Sequence, residues 1–394
     1  MGALSVFLVA GEPSGDALGA ALMAGLKTLV PDVRFDGIGG PLMQAEGLVS
    51  RFDMSELSVM GIAEVLPKYF HLKRRIAETA QAVVDKRPDV LITIDAPEFS
   101  FRVARRVKEL SDVRTVHYVA PTVWAWRPGR AKKIAQFIDH VLALFPFEPP
   151  YMEAEGMACD FVGHPAATVP RASEAECAVC RAAHGLEAAE PLMLVLPGSR
   201  KGEVARMGPV FGAALAQVQA GRPQMRKVLP AAPSVAAAVA EQVAGWPVTP
   251  LMLDPRGKPL DQMQQDKRVA FAAADVALAT SGTVSLELAA AGTPMVSAFD
   301  LHWLSRAIIS RMVTTDTGSL INHVTDTRVV PEGVGHDLTV ENTVAAMEGL
   351  LADPEPQRAA MALTMERLGQ GGEDPGLRAA HAVLERARFF EEKS

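Results

Sequence analysis

A chain of 394 residues is too long for one ordinary core, so two domains of ~200 residues each are expected. Hydrophobic residues make up 49% and charged residues 22%, which excludes a disordered chain, and a net charge of −7 argues against nucleic acid as a partner. Cys159, Cys177 and Cys180 cannot all pair, which fits a reducing compartment, and no apolar window approaches the ~20 residues of a membrane span.

The opening residues, MGALSVFLVAGEPSGD, carry no basic leader and read as a first strand, Leu4–Ala10. Ala17–Leu29 follows as a helix, with apolar residues at Leu18, Leu22, Leu26 and Leu29. Val90–Ile94 is a second apolar strand, Arg102–Leu110 a basic helix and Thr115–Val119 a further strand. Arg130–Phe137 reads as helical and Val141–Leu144 as a strand. The rhythm pauses near Phe161–Pro165, and an Ala/Glu-rich stretch leads to a domain boundary at 185/186. Cys177 and Cys180 fall in that stretch and read as incidental packing.

The second half restarts with the strand Leu192–Leu196, a helix over Gly208–Ala220, the short strand Lys227–Pro230 and a helix over Ala231–Gly245. Val269–Ala273 leads into the strand Val276–Ala279, a long helix begins near Thr283, and Met295–Ala298 is a strand. Glu341–Phe390 is almost all helix signal. Alternation of this kind specifies α/β architecture with two Rossmann-like, doubly wound parallel sheets facing a cleft. Ligands then bind beyond the carboxyl ends of the strands.

Five segments carry chemistry. Leu196-Pro197-Gly198-Ser199-Arg200 ends a strand in a tight turn with a hydroxyl and a guanidinium, which suits a diphosphate. Gly11-Glu12-Pro13-Ser14-Gly15-Asp16 follows the first strand, where Ser14 and Asp16 could equally cap the next helix. Asp95 ends an apolar strand, either as a general base or as a cap ahead of Pro97, and Glu98 reads as solvated. Ser281-Gly282-Thr283 opens a helix whose amides could hold phosphate. Glu287, one turn on, would accept from a ribose diol or pair with a neighbouring cation. Asn322 offers donors and acceptors to sugar hydroxyls, though by composition alone it is an ordinary loop residue. No Asp-x-Asp is present, so arginine, hydroxyls and helix amides would have to neutralise a diphosphate without metal.

Met60–Arg75 differs from these. Met60, Ile62, Val65, Leu66, Tyr69 and Phe70 lie beside Lys68, Lys73, Arg74 and Arg75, and Pro67 should break or kink a helix. The pattern fits either an anionic bilayer surface and lipid tails or a core-packed helix. Trp124 and Trp126 line the cleft or simply pack, and His117, His140 and His164 are taken as structural.

Taken in order, the motifs resemble one family. They are VAGEPSGD (Val9–Asp16), GIGGPLMQAEG (Gly37–Gly47), MGIAEVL (Met60–Leu66), IDAPEFSFR (Ile94–Arg102), PTVWAWRPGR (Pro121–Arg130), FPFE (Phe145–Glu148), VGHP (Val162–Pro165), LPGSR (Leu196–Arg200), SGTVSLE (Ser281–Glu287) and GTPMV (Gly292–Val296). The ordered set resembles the lipid-A-disaccharide synthases, and it spans most of the chain. The resemblance implies a GT-B fold. Residues 1–185 would hold a lipid acceptor and 186–365 a UDP-sugar, while a terminal helix in 366–394 would return to the first domain.

The implied reaction joins UDP-2,3-diacylglucosamine to 2,3-diacylglucosamine 1-phosphate (lipid X) through a β-1,6 linkage. The anomeric centre inverts, no metal or other cofactor is needed, and UDP is released. By resemblance, Asp95 is the base and Glu12 its rival. Ser199, Arg200, Ser281, Gly282 and Thr283 would hold the diphosphate, Glu287 the ribose, and Asn322 the donor sugar or diphosphate. Ser14 and the Met60–Phe70 segment would meet the acceptor or the inner face of the cytoplasmic membrane. A homodimer is left open. Departures from the family pattern are Pro13, Thr122 and the Gly-Val-Gly-His run after Glu332. Two other readings stand beside this one: a UDP-sugar epimerase of the same fold, and a non-catalytic nucleotide-sugar or lipid-binding protein.

Overall fold

The computed structural model describes residues 4–57, 62–187, 190–300 and 312–386, with residues 62–68 described by their backbone alone. The chain forms two compact units, Met1–Pro165 with Gly371–Ser394, and Ala166–Gln370. Each is built on a six-stranded, wholly parallel sheet.

The first sheet contains β1 (Ser5–Ala10), β2 (Arg34–Ile38), β3 (Val90–Ile94), β4 (Arg114–Tyr118), β5 (His140–Ala143) and β6 (Ala158–Phe161), in the order β2-β1-β3-β4-β5-β6. The second contains β7 (Leu192–Leu196), β8 (Arg226–Pro230), β9 (Leu251–Leu253), β10 (Val276–Thr280), β11 (Met295–Phe299) and β12 (Glu332–Val334), in the order β12-β11-β10-β7-β8-β9. Central strands such as β3, β7 and β10 are buried along their whole length, because helices cover both faces. Strand order reverses once per sheet, between β1 and β3 and between β7 and β10. There the connecting helices leave in opposite directions and the carboxyl ends stay uncovered.

Several elements depart from the sequence reading. The first helix is Pro13–Leu29, four residues earlier than expected, because Pro13 at its first position suits helical φ. The Ile62–Lys86 helix runs through Pro67. Val269–Ala273 is the end of the helix Leu260–Ala273, and the helix beginning near Thr283 is short, Val284–Ala291, stopped by Gly292 at φ +77°. The unit boundary falls at 165/166 rather than 185/186. The helix Glu174–Ala183 is tied into the second unit by an Arg268–Glu176 ion pair and by Arg181 donating to the Ala273 carbonyl at 2.6 Å. Cys177 and Cys180 lie in this helix as free thiols. The last described helix, Pro375–Arg386, packs on Pro13–Leu29, with backbones so close that a Cβ on Gly376 would meet the Ala21 carbonyl at 2.5 Å.

Asp16 does not cap its own helix. It is buried, and its carboxylate accepts from the amides of Gly40 (2.8 Å), Leu42 (3.0 Å) and Met43 (3.0 Å), capping the short helix Pro41–Ala45 from another element. A side chain at Gly40 would put its Cβ 2.5 Å from that carboxylate. Asp16→Ala strands these buried donors and should cost about 2–4 kcal/mol, measurable by urea unfolding. Gly40→Ala should be destabilising through the clash, and wild-type midpoints for both variants would refute the capping role.

Candidate active site

In the first unit the reversal point lies between the ends of β1 and β3. Only Gly11 and Glu12 join β1 to its helix, and only Asp95 and Ala96 join β3 to the helix Pro97–Leu110. Turning a strand into a helix within two residues forces Asp95 to φ +49° and Ala96 to φ +43°. Left-handed backbone in non-glycine residues costs of order 1–3 kcal/mol each and is held only where the surroundings over-determine it. The Asp95 amide donates to Tyr118 O at 3.0 Å and its carbonyl accepts from Ser100 Oγ at 2.7 Å. Gly11 is needed opposite, because a Cβ there would lie 2.8 Å from Ala96 Cβ.

The half-buried Asp95 carboxylate has a single side-chain donor among the described residues, Ser14 Oγ at 3.5 Å. Ser14 is exposed, and Glu12 sits half-buried at the helix N-cap, in extended backbone and making no side-chain cap. Asp95, Ser14 and the Glu12 position thus share one reversal point. Glu98 is exposed and pairs with Arg102 at 3.2 Å.

Beside β4, Trp124 Nε1 donates to Glu148 at 3.4 Å, and Trp124, Phe147 and Phe145 pack edge to face and then face to face. Glu148 is buried and also accepts from the Leu144 and Phe145 amides at 3.1 and 3.0 Å. Sequence reasoning quoted FPFE without giving Glu148 a task; the signal was an acid locked between prolines and aromatics. His117 is buried in the core, bonded to Thr93 Oγ1 at 2.9 Å, and desolvation pushes its pKa down to about 3. Desolvation likewise takes His164 down to about 4, and His140 is bonded to Asp160 at 2.8 Å.

In the second unit the reversal point opens into a cavity of about 580 Å³. Its walls include Gly198, Ser199, Arg200, Ser281, Gly282, Thr283 and Glu287, so the β7 and β10 motifs are brought together. Gly198 lies at φ +124°, where a Cβ would meet Glu203 Cβ at 2.6 Å. Glu203 was not anticipated. Its carboxylate takes the Ser199 and Arg200 amides at 3.0 and 3.2 Å and the Arg200 guanidinium at 2.9 Å, so those amides are not open to an anion. The Arg200 side chain is 66% exposed and pivots on that single ion pair. Gly282 and Thr283 lead into the helix Val284–Ala291, whose Ser285 and Leu286 amides turn back onto the Gly282 and Thr283 carbonyls at 3.1 and 3.0 Å. The Ser281 amide instead continues the sheet, donating to Ala298 O at 2.7 Å.

Glu287 proves to be both cavity wall and salt-bridged residue, accepting from Lys267 Nζ at 2.8 Å. Lys267 and Lys258 were missed because they come from the Leu260–Ala273 helix and the turn before it, outside the strand-end motifs legible in the sequence. Each cation facing the cavity carries a carboxylate partner: Arg200 with Glu203, Lys267 with Glu287, Lys258 with Asp266 at 2.6 Å.

Asn322 is corrected by the structure. It is fully buried in the helix Leu320–Thr325, its amide donating to Val330 O at 2.9 Å and its carbonyl accepting from Val330 N at 3.0 Å. Thr317 and Glu332 complete this network, and no Asn322 atom is left for a sugar. Met60 lies outside the described residues, and Ile62, Val65 and Leu66 are described only as helical backbone. Tyr69 and Phe70 on the same helix are exposed, Phe70 by 81%. No helix among the described residues is long and apolar enough to cross a membrane. Among them no group of three His, Cys, Asp or Glu could hold a metal ion.

Two parallel α/β units with polar strand ends at each reversal define the GT-B class of glycosyltransferases and related nucleotide-sugar enzymes. A glycosyltransferase from Rickettsia africae superposes with a TM-score of 0.58 at 13% identity, covering 100% of each chain. A UDP-GlcNAc 2-epimerase from Neisseria meningitidis, bound to UDP-GlcNAc, superposes at 0.61 and 11% identity over 99% of each; at such identities the likeness is one of fold alone. The family model for lipid-A-disaccharide synthetase matches residues 6–383, and the chain belongs to that family. It is 65% identical to the lipid-A-disaccharide synthase of Ruegeria pomeroyi over 97% of this chain and 95% of that protein. To the Rhodospirillum centenum synthase it is 44% identical, over 97% and 94%. The chain is therefore a glycosyltransferase of lipid A biosynthesis, and the epimerase reading falls.

Burial pushes the Glu148 carboxyl from an ordinary 4.5 up to about 8, against the pull of the Phe145 amide, the Trp124 indole and the Leu144 amide. Between those values the folded chain keeps a proton that the unfolded chain has lost. Its contribution to stability is complete below pH 4.5 and is lost as pH rises through about 8. Unfolding free energies of wild type should therefore fall relative to Glu148→Gln between about pH 5 and 8, and a pH-independent difference would contradict the raised value.

Proposed function

We propose that the chain transfers 2,3-diacylglucosamine from UDP to the 6-hydroxyl of 2,3-diacylglucosamine 1-phosphate, with inversion at the anomeric carbon. The acceptor oxygen gives its proton to Asp95 as it bonds to C1 of the donor. The bond from C1 to the diphosphate oxygen breaks, and UDP leaves with that electron pair. A base on the face opposite the leaving group is what an inverting displacement requires. The observation that carries this reading is Asp95 itself: a carboxylate at the β3 end, on left-handed backbone, with the Ser14 hydroxyl as its one side-chain donor among the described residues. Strain of that kind clusters where function demands a fixed geometry.

The 580 Å³ cavity of the second unit is the proposed seat of the UDP moiety. Arg200 can exchange Glu203 for a diphosphate oxygen, and the Gly282 and Thr283 amides open the adjoining helix toward it. Lys267, released from Glu287 when a ribose diol takes that carboxylate, would add a second cation. Arginine, lysine and helix dipole together supply the charge that a divalent ion supplies elsewhere. Tyr69 and Phe70, with exposed Lys73 and Arg74 a turn beyond, support peripheral contact with an anionic membrane face.

Incubation with both lipid substrates should give disaccharide 1-phosphate and UDP; binding without product would favour the non-catalytic reading. Asp95→Asn tolerates the same backbone and should cut turnover at least ~100-fold, the ordinary worth of a positioned base. Near-normal turnover would hand the role to Glu12. Arg200→Ala should weaken use of the UDP-sugar by about 2–3 kcal/mol, seen in kcat/KM for the donor. A change confined to acceptor kinetics would show that Arg200 is misplaced in this scheme.

A further inference from the structure

The acceptor in this reaction carries a phosphate, and none of the residues assigned above receives it. We propose that Arg127 and Arg130 form the subsite for that phosphomonoester in the first unit, beside Asp95; the proposal rests on the reaction given under Proposed function. Arg127 lies in the loop that follows β4 and Arg130 in the first turn of the short helix that ends it, Gly129–Ile134, and β4 is the sheet neighbour of β3. Adjacent strand ends stand about 4.8 Å apart, the scale of one pyranose ring. A sugar with its 6-hydroxyl at the β3 end would therefore present its far side to the β4 loop.

The loop is built rigidly. Trp126 Nε1 donates to Thr122 Oγ1 at 2.9 Å, and Trp124 is held by the buried Glu148. Val119 at φ +84° and Arg127 at φ +51° join Asp95 and Ala96, so four of the six described non-glycine residues with positive φ follow β3 or β4. For a β-branched residue and for a residue preceding proline such backbone is unfavourable. The loop's polar groups are thus spent on fixing its shape, while its guanidiniums are not. Arg127 lies 4.3 Å over the Trp126 ring and has no carboxylate partner among the described residues. Arg130 lies 5.3 Å over the Phe101 ring, and its nearest carboxylate, Glu98, is 3.9 Å away and 80% exposed. In a chain of net charge −7 the arginine at the other reversal point, Arg200, is paired more closely, with Glu203 at 2.9 Å. Two planar forks braced on aromatic rings and lacking close counter-ions suit a dianion with three oxygens.

The test compares the phosphorylated acceptor with its 1-hydroxy counterpart at saturating donor, using the full chain. Arg127→Gln and Arg130→Gln should each raise KM for the phosphorylated acceptor about 10- to 100-fold, the worth of one or two charge-assisted contacts. Donor KM and the rate with the 1-hydroxy acceptor should stay as in wild type. Arg34→Gln, at the exposed amino end of β2, removes the same charge and should change nothing. Equal losses on both acceptors, or undiminished preference for the phosphate, would overturn the subsite. Calorimetric titration with glucosamine 1-phosphate separates this from the reaction itself. Binding that the two variants lose, in a wild type forming no disaccharide, would sink the reaction and keep the subsite; absence of binding to wild type would sink the subsite.

Discussion

A parallel sheet can expose the ends of two neighbouring strands only where its crossover connections part in opposite directions. Both units of this chain have one such place, between β1 and β3 and between β7 and β10. What stands at those strand ends is what can meet a ligand, and everything else supports it. The fully buried strands hold the ends in place, and the helices that follow supply amides and second-turn side chains. Asp95 and Ser14 come together because β1 and β3 are adjacent, not because they are near in sequence, and Arg200 and Ser281 meet across β7 and β10 for the same reason.

The cost of this arrangement shows in the backbone. A strand that turns into a helix with two residues to spare has no relaxed conformation available, and Asp95–Ala96 take left-handed geometry. The sheet neighbour answers with a residue lacking a side chain, Gly11, and the helix with a proline whose φ is already set. In the second unit Gly198 plays the corresponding part, yielding space to Glu203, which holds the loop amides. The two loops thus differ in kind. Among the described residues, one gives its carboxylate a single side-chain donor, while the other pairs each cation facing its cavity until something competes for it.

Much of the fold is legible in the sequence because buried parallel strands are continuous apolar runs. Val90–Ile94 was assigned to the residue, as was Leu192–Leu196. The strands that were missed, β2, β6, β9 and β12, lie at or next to the sheet edges. They are short, and apart from the three-residue β9, LML, they mix apolar with polar residues, as RFDGI and EGV do, so periodicity has little to act on. Of the break or kink that Pro67 signalled, the break does not occur, since the helix Ile62–Lys86 is continuous. At the site, residues with a local strand-end signature were found, and residues that act across elements were not. Asp16 looked like a local cap and serves a different helix, Asn322 looked like a ligand and holds Val330 and Glu332, and Lys267 gave no sign at all. Hydrogen-bond partners more than a turn away are a property of the fold, and no spacing rule reaches them.

The close backbone approach of Gly376 to Ala21 joins helices from opposite ends of the chain. The helix that seals the first unit is translated only after the whole of the second, Ala166–Gln370. At typical synthesis speeds the first unit waits roughly 10–40 s with the seam along Pro13–Leu29 bare. The unit begun first is thus completed by the helix made last.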